Sequence, residues 1–69
     1  MDGWIEHTGD TCPVPRGTLI DIIDNDGFMW TNERALECSA AKCFWENVED
    51  ENGLEWENQI KYYRIVAVS

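Results

Sequence analysis

Hydrophobic and polar positions alternate along much of this chain, and the alternation predicts strands. The run TLIDII, Thr18 to Ile23, is rich in β-branched residues. Ile20 and Ile22 fall on one face and Leu19, Asp21 and Ile23 on the other, so a half-buried strand is expected. Asp24-Asn25-Asp26-Gly27 follows, and Asp-Gly between hydrophobic runs signals a hairpin. Phe28 to Thr31 is the returning strand, with Phe28 and Trp30 on one side. Near the C-terminus IKYYRIVAV predicts another strand, with Ile60, Tyr62, Arg64, Val66 and Val68 on one face and Lys61, Tyr63, Ile65 and Ala67 on the other.

The remaining segments are shorter. Gly3 to His7 reads as an edge strand that meets the turn-forming cluster Thr8 to Thr11. Pro13 and Pro15 fix φ and hold Cys12 to Pro15 extended, and Gly17 then frees the backbone to turn. Thr31 to Lys42 contains good helix formers, a capping residue at Thr31 or Asn32 and Glu33 in the first turn, but its apolar periodicity is poor. One or two turns of helix and a wide loop both fit it. Cys43 to Val48 reads as a third strand, with Phe44 and Val48 facing away from Trp45; it runs into the acidic turn Glu49 to Gly53, and Leu54 to Gln59 returns. No internal repeat, linker or low-complexity tract is expected. The sum is one mainly β domain, residues 1–69, built as a small antiparallel barrel or a curled sheet of four to five strands, with room for one short helix. Closing or covering the sheet would hide its edges. A homodimer through an edge strand or an exposed Trp is the alternative, because a core this small supplies only about 3–5 kcal/mol.

Composition adds a core and a strong charge. With 43% hydrophobic residues, including four Trp, two Tyr and two Phe, the chain has the makings of a globular fold. Net charge is −9, from 14 acidic against 5 basic side chains. Arg16, Arg34, Lys42, Lys61 and Arg64 are scattered, which argues against direct nucleic-acid binding and favours positively charged partners. The odd count of three cysteines does not suit a closed disulfide framework. MDGWIEHTGD lacks the basic start and apolar core of a signal peptide, and no run approaches the roughly 18 apolar residues of a membrane span. A soluble, cytoplasmic protein with no membrane partner is expected.

The order Cys-Pro-Val-Pro-x-Gly-Thr, Ile-Asp-Ile, Asp-Gly and Ile-x-x-Tyr-Arg-Ile, carried by Cys12 to Gly27, Phe44-Trp45 and Ile60 to Ile65, resembles a group of small proteins and modules of tailed bacteriophages and prophages. The resemblance covers about half the chain. It implies a compact β-rich module of viral origin and brings no established activity with it. This chain departs from the pattern in its acidic segment Glu46 to Glu57, which is longer than the usual link before the last strand.

Several constellations bear on chemistry. His7, Cys12, Cys38 and Cys43 form a Cys3His set for zinc, but the H-x4-C and C-x4-C spacings are wide for it, and small buried hydrophobes are the simpler role. Glu6, Asp21, Asp24 and Asp26 offer carboxylates for calcium, yet the loop lacks the later ligands and closing Glu of a calcium-binding hand. His7 is the one imidazole available as a base to a nucleophile, and nothing orients it. No enzyme activity, cofactor or metal is expected. Trp4, Trp30, Trp45 and Trp56 divide between core and interface.

The acidic run is either a solubilising face or a contact surface. The expected binding residues are Glu46, Glu49, Asp50, Glu51, Glu55, Glu57 and Trp56. The leading expectation is a non-enzymatic phage accessory protein that binds another protein. A DNA mimic that occupies the basic groove of a host nucleic-acid-binding protein, and a small structural module of the virion, are the alternatives.

Overall fold

The hairpin turn after Ile23 forms as its residues demand. In the computed structural model, which describes residues 3–67, Asp24 N–H donates to the Phe28 carbonyl at 3.0 Å and Gly27 N–H to the Asp24 carbonyl at 3.1 Å. Gly27 takes φ of 83°, the left-handed residue that ends a three-residue hairpin loop. The strands in chain order are β1 (Ile5–Glu6), β2 (Leu19–Asp24), β3 (Met29–Arg34), β4 (Ser39–Ala40), β5 (Cys43–Phe44), β6 (Val48–Glu49), β7 (Glu55–Trp56) and β8 (Ile60–Ala67). Four make an antiparallel sheet in the order β1-β8-β2-β3, while β4 with β5 and β6 with β7 make two small ribbons. The protein is mainly β, and no helix is present among the described residues. The sheet does not close: β1 and β3 remain its edges, so the barrel alternative is corrected to an open sheet.

The chain turns into this sheet at Gly17 as expected, while Cys12 to Pro15, expected to run extended, bends at Val14. Thr18 donates both its N–H, at 3.1 Å, and its hydroxyl, at 2.7 Å, to the Pro15 carbonyl, closing a turn around Gly17. Ile20 and Ile22 then point inward from β2 and are fully buried with Ala35, Ala40, Trp45 and Ile60, while Cys43 and Tyr63 are nearly so.

Trp45 is the centre of this core. Its indole N–H donates to the Leu36 carbonyl at 3.1 Å, and its backbone N–H to the Cys38 carbonyl at 3.2 Å. Its own carbonyl, which can only accept, takes a hydrogen bond from His7 Nε2 at 2.5 Å. The His7 and Tyr63 rings meet the indole edge-on, at 5.0 and 5.7 Å between centroids. All this removes Trp45 from any ladder, so the strand expected over Cys43 to Val48 breaks into β5 and β6.

Two further expectations are corrected. Thr31 to Lys42 is not helical: it carries the end of β3, then loops, then β4. Asn32 has φ of 54° and sits in a β-bulge opposite Asp21; Ala41 and Lys42, at φ of 50° and 67°, form the two-residue turn between β4 and β5. Such a turn needs positive φ at both central residues. Ile60 does not share a face with Tyr62. The pairing Ile23 to Tyr62 is followed by Asp24 to Ile60, and this irregularity at Lys61 brings Ile60 into the core, where Tyr63 also lies.

Asp21 is buried on the opposite sheet face. One carboxylate oxygen accepts the Asn32 N–H at 2.9 Å and the other accepts Arg64 Nε at 2.8 Å, while the Arg64 guanidinium lies 4.5 Å from the centre of the Trp4 ring. One side chain thus joins β2, the bulge of β3, and β8.

Trp45→Ala is expected to remove about 3–5 kcal/mol, comparable to the whole stability of so small a core, and to abolish the cooperative thermal transition. Trp45→Phe should retain a weakened one. The Asn32 N–H chiefly, opposed by burial and reinforced by Arg64, holds the Asp21 carboxyl below its ordinary 3.8. A depressed folded-state pKa gives stability that is complete above the ordinary value and is lost as pH falls through the folded one. Asp21→Asn should therefore cost about 1–3 kcal/mol near neutral pH. Its deficit should shrink below about pH 4, as read by chemical denaturation at both ends of that range.

Candidate functional site

The acidic segment folds into a hairpin that stands outside the core. Every residue of the core cluster lies before Glu46 or after Gln59. The hairpin is fastened at its base: Asn47 Oδ1 accepts the Asn58 N–H at 2.8 Å, Gln59 N–H donates to the Phe44 carbonyl at 3.0 Å, and Phe44 N–H donates to Gln59 Oε1 at 3.3 Å. Its neighbours in the chain, Trp45 and Ile60, are both fully buried and act as its anchors.

The turn is built by Asp50. Its carboxylate accepts the N–H groups of Asn52 and Leu54, each at 2.9 Å, and the Trp56 side chain lies beside it. These donors, Leu54 first, hold its carboxyl below the ordinary value. Glu49 and Glu55 are directly opposed on one face of the ribbon, and Val48 and Trp56 on the other. Glu46, Glu51 and Glu57 are exposed. Glu57 also lines a polar groove of about 530 Å³, together with Glu6, Asn25, Asn58, Lys61 and Tyr62.

Of the seven expected binding residues, then, Glu46, Glu49, Glu51, Glu55 and Glu57 are displayed and Trp56 is 44% exposed. Asp50 differs from them. Its carboxylate is engaged in holding the turn, so it is scaffold and not a free charge.

The hairpin has a twin, and the expectation of no internal repeat is corrected. Residues 21–33, DIIDNDGFMWTNE, and 47–59, NVEDENGLEWENQ, align at an offset of 26 with four identities and five like replacements. Asp24 repeats the role of Asp50: it accepts the N–H groups of Asp26 and Phe28 at 2.9 Å and the Trp30 indole N–H at 3.1 Å. Burial pushes the Asp24 carboxyl up, but these hydrogen bonds from Trp30, Phe28 and Asp26 together hold it below its ordinary value. Asp21 to Asn32 in the first unit matches Asn47 to Asn58 in the second. The cross-strand pairs also correspond, Ile22 to Trp30 with Val48 to Trp56, and Ile23 to Met29 with Glu49 to Glu55. At the four positions where the units differ in kind, Ile23, Asn25, Met29 and Thr31 are replaced by Glu49, Glu51, Glu55 and Glu57.

The residues weighed for metal are occupied elsewhere. His7 Nε2 is held by Trp45, Cys12 Sγ donates to the Val14 carbonyl at 3.3 Å, Cys43 lies in the core and Cys38 is exposed. Burial, then the charges of Asp24 and Glu33, push the Cys43 thiol up, away from the thiolate a metal or a nucleophile needs. No cluster of three or more His, Cys, Asp or Glu arranged for a metal ion occurs among the described residues. No helix among them is long and apolar enough to cross a membrane. No protein-family model, curated protein or solved structure matches the chain.

Because the hairpin contributes nothing to the core cluster, replacing residues 48–57 by Asn-Gly should leave a folded domain. Its near-ultraviolet circular dichroism, dominated by the Trp45 environment, should keep its shape, and its thermal midpoint should fall by only a few degrees. Loss of the cooperative transition would show that the ribbon is part of the core.

Proposed function

We propose that this chain is a non-enzymatic accessory protein of a tailed phage or prophage, whose β6–β7 hairpin docks on a basic surface of another protein. The observation that carries this reading is the comparison between the twin hairpins. Both keep the residues that build the turn, and the four positions that differ in kind all carry glutamate in the second. Isoleucine, asparagine, methionine and threonine occupy those positions in the first, so the turn itself does not require the charges. Glu49 opposite Glu55 is in fact a destabilising like-charge pair. A basic partner removes that penalty and turns the repulsion into affinity.

The anchoring supports the same reading. A binding loop positioned by a rigid scaffold is a common place for recognition, and here Trp45 and Ile60 fix both ends. Trp56 and Leu54 add exposed apolar surface to the ribbon.

The test is capture from host lysate by the immobilised protein, compared with the triple variant Glu49→Ser, Glu55→Ser, Glu57→Ser, which leaves Asp50 in place. The native chain should retain a basic protein at low salt and release it as salt rises, and the folded triple variant should retain at least about tenfold less. Equal capture by the two would exclude the hairpin as the contact. Release by duplex DNA would identify the partner surface as one that also takes nucleic acid.

A further inference from the structure

We infer that the twin hairpins are two indole clamps for arginine side chains, so that the basic partner is read as arginine-bearing and not merely as positive. This rests on the reading above and specifies its chemistry. The two tips expose a large apolar surface: Phe28, Met29, Trp30, Leu54 and Trp56 are all substantially accessible, with Trp30 at 38% and Trp56 at 44%. Trp30 directs its single donor to the Asp24 carboxylate at 3.1 Å, and Trp56 lies beside the Asp50 carboxylate of its own turn and helps to hold that carboxyl below its ordinary value. What each indole still offers a partner is a ring face, held still and made more electron-rich by the anion at its edge.

Such a face does not serve all cations equally. A guanidinium is planar and weakly hydrated, stacks on aromatic rings and still presents N–H groups to carboxylates, whereas an ammonium is compact and strongly hydrated. The protein already contains the filled version of this arrangement. Arg64 lies 4.5 Å over the Trp4 ring while its Nε donates to the Asp21 carboxylate at 2.8 Å. Trp30 and Trp56 provide the exposed indole at the surface of a chain with net charge −9, with Asp24 and Asp50, tied to their turns, contributing negative charge beside it. A cationic planar group complements both.

The experiment compares labelled deca-arginine and deca-lysine peptides by fluorescence anisotropy at low salt. The native chain should bind the arginine peptide about fivefold more tightly for each clamp engaged. Trp30→Leu and Trp56→Leu should each reduce that preference, and the double variant should bind the two peptides alike, with deca-lysine affinity little changed. Trp30→Phe and Trp56→Phe keep a ring face and should keep part of the preference, which separates loss of the clamp from a loosened turn. Equal affinity of the native chain for both peptides, or an undiminished preference in the folded double variant, overturns the arginine assignment alone. Failure of either peptide to bind overturns the basic-partner reading with it.

Discussion

An indole can be fully buried in a chain of 69 residues only if its polar groups are answered inside, and the fold is arranged around that requirement at Trp45. An unsatisfied buried N–H or carbonyl would cost a sizeable part of the total stability. The loop carbonyls of Leu36 and Cys38 answer the two N–H groups, and His7 answers the carbonyl. Three distant stretches of chain are thereby drawn to one point. The positive φ angles at Ala41 and Lys42 follow from the same need, since the tight β4–β5 turn places Ala40 and Cys43 in the core beside Trp45.

Aspartate is the second organising device. Asp24 and Asp50 each gather two backbone N–H groups, Asp24 an indole N–H as well, and Asp21 joins a bulge to an arginine. A short carboxylate reaches its own backbone in this way, whereas glutamate is one methylene too long to do so as well. The acidic residues therefore separate into two populations. The tied aspartates hold the backbone, and the glutamates of the second hairpin are displayed. The net charge alone does not distinguish them.

The different settings of the two like hairpins explain why the second can carry so much charge. In the first unit β2 pairs with β8 and its inward residue Ile22 fills the core, so that position cannot be exchanged for an acid. The ribbon of the second unit pairs with no other strand, and it is tied to the rest only at its base, by Gln59 to Phe44 and by Asn25 to Asn58 and Gln59, so the positions along its strands carry less structural constraint. The same local scaffold thus serves as wall in one copy and as display in the other.

Much of the fold was legible in the chain itself. TLIDII, the Asp-Asn-Asp-Gly turn and IKYYRI depend on β-branching, alternation and a glycine at positive φ, all local properties that need no distant partner. The acidic hairpin was legible as well, as two short runs around Asp-Glu-Asn-Gly, and its twin was recoverable from the spacing Asp-x-Asx-Gly-x-x-Trp beneath the differing charges. Helix propensity in Thr31 to Lys42 misled because the residues there are placed by the core and the bulge and not by their own preferences. The burial of Asp21, the shift of Ile60 to the inner face and the choice of Trp45 over three other tryptophans were decided only by tertiary structure. Each depends on a partner far along the chain, Arg64, Asp24 and His7 respectively, and local sequence carries no record of which distant group will satisfy a buried one.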